Sequence, residues 1–268
     1  MPGTPHASIG VFDSGLGGLS VLRAIRAALP HEHLVYVADS ANAPYGDRSE
    51  AFITERSIAI ADFLIQRGAK AIVVACNTAT AVAIAALRAR ITLPVIGIEP
   101  AVKPASATSE SHVVGVLATT RTLASEKYQR LAARFSTQAT LLRQPCPGWV
   151  ERVEAGDMTS VETVALVRRY VEPLLAQGAD TLVLGCTHYP FLSEVIAQVA
   201  GPRVKLIEPG AAVARVLQHR LAAAHALASD ERPGREEFWA SDSSEATAAV
   251  ATRLWGRTVQ LKPLARGA

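Results

Sequence analysis

Lysine and cysteine are both scarce in this chain of 268 residues, and neither occurs in runs. The lysines are Lys70, Lys103, Lys127, Lys205 and Lys262, all outside the glycine turns where a pyridoxal Schiff base and its phosphate would sit. That cofactor is therefore disfavoured, and no other cofactor is expected. Without Lys or Arg runs, a formal charge of +3 is a mild, dispersed excess, so nucleic acid is not an expected partner. The cysteines, Cys76, Cys146 and Cys186, show no CxxC spacing and no histidines at metal-ligand distances. This argues against zinc or any other metal and against a disulfide scaffold. Long apolar runs are missing as well. The longest candidate, 71–87, is interrupted by Asn77, Thr78 and Thr80, so no membrane span is expected. The opening MPGTPHAS has no basic segment followed by an apolar stretch, so no secretory signal is expected and a cytoplasmic location is.

What is present is 49% hydrophobic and 19% charged content, enough for two compact units with cores of their own. Two stretches dominate, VVACNTATA at 73–81 and LVLGCTHYP at 182–190. Each reads as a buried parallel strand, a cysteine, then Asn or Thr opening a helix. PVIGIEPAV at 94–102 is echoed by VKLIEPGAAV at 204–213, and GVFDSGLGGLS at 10–20 faces GVLATTRTLAS at 115–125. Three echoes in the same order at nearly constant separation indicate an internal duplication of one α/β unit. The expected lobes are 1–98 plus 209–268, carrying Cys76, and 99–208, carrying Cys186. The tail beyond Glu208, with helices at 211–226 and 244–254 and strands near Glu237 and Val259, is expected to return to the first lobe.

Residues 8–12 read as a strand entering Asp13-Ser14-Gly15-Leu16-Gly17-Gly18, a glycine turn before a helix over 19–29. Free backbone N–H groups there suit an anion, phosphate or carboxylate, although the spacing matches neither a dinucleotide fingerprint nor a P-loop. Asp13 reads either as a helix N-cap or as a charge at the mouth of the site. A strand at 33–38 leads to the loop Asp39 to Asp47, which includes Pro44, Tyr45 and Gly46. It lies where α/β sheets place ligands, or is an ordinary surface turn. A helix over 49–67 follows. In the second copy the pattern predicts a strand at 112–117, a helix over 122–135, a strand at 138–142, irregular chain at 145–156, a helix over 160–176 and a strand at 181–184.

Two similar lobes facing each other put equivalent residues on opposite sides of one ligand. Cys76 and Cys186 would flank it, with helix N-termini drawing both thiol pKa values from near 8.5 toward neutrality. An acid and a base on opposite faces of one carbon invert a stereocentre by removing and returning a proton. The developing negative charge then needs fixed donors, which Asn77, Thr78 and Thr187 can supply. Burial alone is the competing reading of each cysteine, weakened by their matched positions. Cys146, unmatched, reads as incidental. His188 is either a helix-start residue or a proton relay for Cys186, and Glu154 either a surface acid or the group that orients His188.

FDSGLGG, PYG, ACNTA, GVLATTRTLASEKY, VEAG, GCTHYP and IEPG, in this order, resemble the glutamate racemases of the aspartate/glutamate racemase superfamily, nearly end to end. The resemblance implies two flavodoxin-like lobes in pseudo-symmetry, α/β with mostly parallel sheets and the active site in the cleft between them. It implies glutamate as substrate, D-glutamate for peptidoglycan as product, and no cofactor. Cys76 and Cys186 match the catalytic thiols, the first acting on D-glutamate and the second on L-glutamate. Asp13 and His188 match residues assisting the nearer cysteine. Ser14, Pro44, Tyr45, Gly46, Asn77, Thr78, Thr119, Thr122 and Thr187 match substrate contacts, and Asp39 and Glu154 match acidic positions around the site. Asn42 stands where many relatives carry Arg before PYG. With few residues ahead of Gly10, activation by a cell-wall precursor is not expected. A homodimer, and the DNA gyrase binding reported for some members, enter by family analogy only. An aspartate racemase and a non-catalytic two-lobed binder are the alternatives.

Overall fold

A computed structural model describes residues 7–229 and 232–264, so most of the MPGTPHAS segment lies outside the described residues. The chain starts with β1 (Ser8–Asp13), α1 (Leu19–Ala28), β2 (Leu34–Ala38), α2 (Glu50–Gln66), β3 (Ala69–Val74), α3 (Asn77–Arg90) and β4 (Val95–Gly97). After α4 (Val102–Thr108) come β5 (Val113–Ala118), α5 (Thr120–Ala124), α6 (Glu126–Ala133), β6 (Thr140–Pro145), α7 (Trp149–Glu154), α8 (Val161–Ala176), β7 (Thr181–Leu184), α9 (Ser193–Ala200) and β8 (Lys205–Ile207). The tail forms α10 (Gly210–Ala223), β9 (Glu236–Ala240), α11 (Glu245–Trp255) and β10 (Leu261–Pro263).

The strands form two sheets, ordered β10-β9-β2-β1-β3-β4 and β6-β5-β7-β8, and every pairing is parallel. The shared order β2-β1-β3-β4 and β6-β5-β7-β8 is the duplication read as topology. It makes β3 the counterpart of β7. The protein is α/β with two parallel-sheet lobes. Central strands are covered on both faces, which is why β1, β3 and β7 are nearly continuous apolar runs. In the first lobe Val11, Tyr36 and Val73 face one apolar cluster and Phe12, Val37 and Ile72 another. The first cluster runs without a break into the second lobe through Leu16, Leu19, Val153, Tyr189 and Leu192.

β9 adds to the β2 edge and β10 to β9, so the tail completes the first sheet. A buried ion pair helps hold it there: Lys70 Nζ lies 2.7 Å from Glu32 Oε2, and Glu32 Oε1 accepts from the Ala228 amide at 2.7 Å.

Three local expectations differ. The helix expected over 122–135 breaks at Ser125, whose extended backbone ends α5 and whose hydroxyl accepts from Tyr128 N to start α6. The strand expected at 138–142 is β6, displaced to Thr140–Pro145. It is a half-exposed edge, where the apolar signal is weak and proline is tolerated. The stretch expected to be irregular, 145–156, holds α7, launched by Gly148 at φ 90°.

Among the described residues no helix is long and apolar enough to cross a membrane. The run at 71–87 is a strand, a turn and a helix.

Candidate active site

Both cysteines follow the carboxyl ends of equivalent central strands, Cys76 after β3 and Cys186 after β7. Their surroundings differ. Cys76 is the N-cap of α3 and its Sγ accepts from Ala79 N at 3.4 Å, with Ser14 Oγ 3.6 Å away. Cys186 leads only into a single 3-10 turn, Tyr189–Leu192, and its Sγ lies 3.7 Å from His188 Nδ1. Cys76 and Cys186 are 5% and 6% exposed, so both thiols are buried.

The expected drop in the Cys76 pKa is not found. Burial pushes the thiol up to about 12, Asp13 adds to the rise, and the Ala79 amide and Ser14 hydroxyl offset only part of it. The helix N-terminus is present, but desolvation outweighs it.

The turn over residues 13–18 is not a free anion cradle, because carboxylates of the chain itself occupy its donors. Gly15 N donates to Asp13 Oδ2 at 2.9 Å and Leu16 N to Glu154 Oε1 at 2.6 Å. Asp13 is fully buried and caps no helix, since α1 begins at Leu19; its Oδ1 accepts from Thr187 Oγ1 at 3.0 Å. Burial raises its pKa, opposed by the nearby His188 charge and the Gly15 hydrogen bond.

Glu154, on α7, lies 2.5 Å from His188 Nε2. Burial opposes protonation of His188, but hydrogen bonds to Cys186 and Glu154 and the Glu154 charge override it and raise the pKa well above the usual value. The imidazolium gives one N–H to Glu154 and turns the other toward Cys186. Gly17 N, 3.2 Å from Nε2, is then a close neighbour rather than a donor. This seat explains the glycines: a Cβ on Gly17 would fall 2.2 Å from His188 Nδ1, and one on Gly15 2.2 Å from Glu154 Oε1.

Hydroxyls also join the lobes. Thr78 Oγ1 lies 3.1 Å from Thr119 Oγ1 and 3.3 Å from Thr122 Oγ1, and Thr119 caps α5. Asn77 is 4% exposed, yet neither atom of its side-chain amide has a hydrogen-bond partner. Buried amide atoms left so cost about 1–3 kcal/mol each, so this side chain has hydrogen-bonding capacity that the chain itself does not use.

Asp39 stands apart from the thiols as an anchor. It accepts from Tyr45 Oη at 2.6 Å, from Asn42 Nδ2 at 2.9 Å and from Arg56 at 3.0 and 2.9 Å. Burial alone would raise its pKa, but these bonds hold it below the usual carboxylate value. Asp39 thereby fixes the turn of Pro44, Tyr45 and Gly46, and Asn42 belongs to that anchor. Three contributors were not singled out in the sequence. Tyr36 Oη donates to Gly15 O at 2.7 Å, Ser20 Oγ lies 2.9 Å from Gly17 O and 2.8 Å from Thr187 O, and Arg56 neutralises Asp39. Each is a polar tip on a regular element, where spacing carries no signal.

Among the described residues no group of three or more His, Cys, Asp or Glu is placed to hold a metal ion.

Residues 9–217 match the family described as Asp/Glu/Hydantoin racemase. The chain belongs to this family. A glutamate racemase of Methylococcus capsulatus is 55% identical over 267 residues, 100% of this chain and 98% of that relative. The structure of a glutamate racemase isoform of Bacillus anthracis superposes with a TM-score of 0.90 at 32% identity, covering 98% of this chain and 99% of that one. That of Escherichia coli glutamate racemase, in complex with L-glutamate and the activator UDP-MurNAc-ala, gives 0.83 at 34% identity, covering 96% and 98%. Nearly the whole length of this chain is thus shared with nearly the whole length of these relatives.

Proposed function

We propose that the chain is a cofactor-independent glutamate racemase that interconverts L- and D-glutamate through Cys76 and Cys186. The observation that carries this reading is the pairing of two thiols on equivalent strand ends inside one buried site with the unpartnered Asn77 amide beside them. In this reading the described residues up to 98 and from 209 onward belong to the lobe bearing Cys76, and 99–208 to the lobe bearing Cys186.

One thiolate takes the α-proton, the C–H electron pair stays on the carbon as a carbanion stabilised by fixed donors, and the opposite thiol returns a proton to the other face. The two sulfurs exchange protonation states in each turnover. For L-glutamate Cys186 is the base, with His188 holding a mobile proton at its Sγ and Glu154 orienting the ring. For D-glutamate Cys76 is the base. Its high pKa in the free protein calls for substrate assistance: the substrate ammonium brings a positive charge to a site crowded by Asp13, which favours the thiolate. Asn77, Thr78, Thr187 and Ser14 bind the amino-acid end, and Tyr45 and Gly46 the far end. A cytoplasmic role in supplying D-glutamate for peptidoglycan fits this activity.

The test is proton NMR in deuterated buffer with L-glutamate, D-glutamate and L-aspartate in turn. Deuterium should enter the α-carbon of glutamate as its enantiomer appears, and Cys76→Ala and Cys186→Ala should each abolish racemisation. Exchange of aspartate alone would replace this reading with an aspartate racemase. Exchange of neither would point to a binding protein.

A further inference from the structure

The lobes meet along two unlike borders. On one, Leu16 and Leu19 share a continuous buried apolar cluster with Val153, Tyr189 and Leu192, and Arg253 Nη1 donates to Gly156 O at 2.7 Å. On the other, α3 meets α5 at its buried end through the Thr78, Thr119 and Thr122 hydroxyls, and outward of these the turn at Tyr45–Asp47 and α3 face α5 and α6 across a groove of about 950 Å³ lined by Gly46, Glu50, Ala85, Arg88, Arg121 and Arg130 among others. Dry, interdigitated borders resist parting, while wet polar ones exchange their bonds for water at little cost.

Arg121 spans that wet border. Its Nε donates to Gly46 O at 3.2 Å, and its Nη1 lies 4.0 Å from Glu50 Oε1, a largely exposed carboxylate. Thr119, two residues earlier, abuts the same turn: a Cβ on Gly46 would lie 3.6 Å from Thr119 Cβ. The turn is itself rigid, because Asp39, neutralised by Arg56, holds Tyr45 from behind. A fixed carbonyl on one lobe thus accepts a hydrogen bond from a partly buried guanidinium on the other, at a border that water reaches.

We propose that Arg121 is the latch that keeps the lobes shut over the two thiols, and that through Gly46 it positions the Tyr45–Gly46 edge against the substrate. The second clause rests on the racemase reading; the first does not. Arg121 touches no reacting atom, so it is a positioning residue.

The experiment labels the full-length protein with iodoacetamide and reads Cys76 and Cys186 separately by peptide mass spectrometry. Arg121→Ala should label both thiols about tenfold faster, with a circular dichroism spectrum like that of the wild type. Arg121→Lys should fall between the two. Glu50→Gln should stay within about twofold of wild type, because an exposed pair contributes little. Unchanged labelling in Arg121→Ala overturns the latch. Should that variant fold poorly, Arg121→Gln is judged on the same labelling criterion. In racemisation assays Arg121→Ala should raise KM about tenfold for both enantiomers while kcat changes less than about threefold. A fall in kcat at constant KM overturns the positioning role. Labelling needs no turnover, so the latch is decided even if glutamate proves not to be the substrate.

Discussion

Gly17 shows how a residue with no side chain can be the most constrained one in a site. Its α-carbon leaves room for the His188 ring, and a methyl group there would fall 2.2 Å from Nδ1. Gly17→Ala should therefore displace the imidazole from Cys186, lowering kcat/KM for L-glutamate by about 100-fold or more and destabilising the fold by about 1–3 kcal/mol through overpacking. Steady-state kinetics and urea unfolding measure the two effects. The Glu154 to His188 contact gives a pH signature. A histidine whose native pKa is raised adds stability that is fully present below its unfolded value near 6.5 and is lost as pH rises through the native value. Glu154→Gln should thus lower stability by about 1–3 kcal/mol at pH 6, with the gap to wild type closing as the solution turns alkaline, as read from urea midpoints across pH. Part of this geometry was legible in the chain letters: His188 stands between Cys186 and Glu154, and Thr187 meets Asp13. The role of the glycine turn was not, because the group that fills it arrives from the other lobe, and no local pattern announces a partner more than a hundred positions away.

At the level of elements, pattern served best where strands are central and worst where a polar residue decides a boundary. The strand at Thr181–Leu184 has the expected bounds, since burial on both faces leaves an apolar run with clear ends. The Ser125 break was hidden because the apolar periodicity passes straight through it, while the serine hydroxyl quietly restarts the helix. Removing that cap in Ser125→Ala should cost about 1 kcal/mol, measurable as a shift in the urea midpoint. Helix α7 was masked by Pro145, Pro147 and Gly148, punctuation that sets its entry angle rather than excluding it. The short turn after Cys186 has the same lesson. The two cysteine motifs look alike in letters, yet Pro190 and the 3-10 turn leave Cys186 without the long helix that follows Cys76, and an imidazole stands there instead.

The molecule as a whole is a repeated β2-β1-β3-β4 order with one asymmetry, the return of β9 and β10 to the first sheet. Those strands cover the edge of β2, whose residues Leu34 to Ala38 are all buried. A chain ending at Ser229 should expose that apolar edge and lose solubility, seen as light scattering on expression and purification, because an uncovered flat strand is a template for pairing with other chains. The same topology sets a timetable for synthesis. The ribosome makes β2 early, then every strand of the second sheet, and only afterwards β9. At about 5–20 residues per second the sticky edge of the nascent first lobe waits on the order of 10–40 s for its cover, while its neighbour has all its strands in hand. It is the half of the protein begun first, and finished last, that most needs a chaperone's protection.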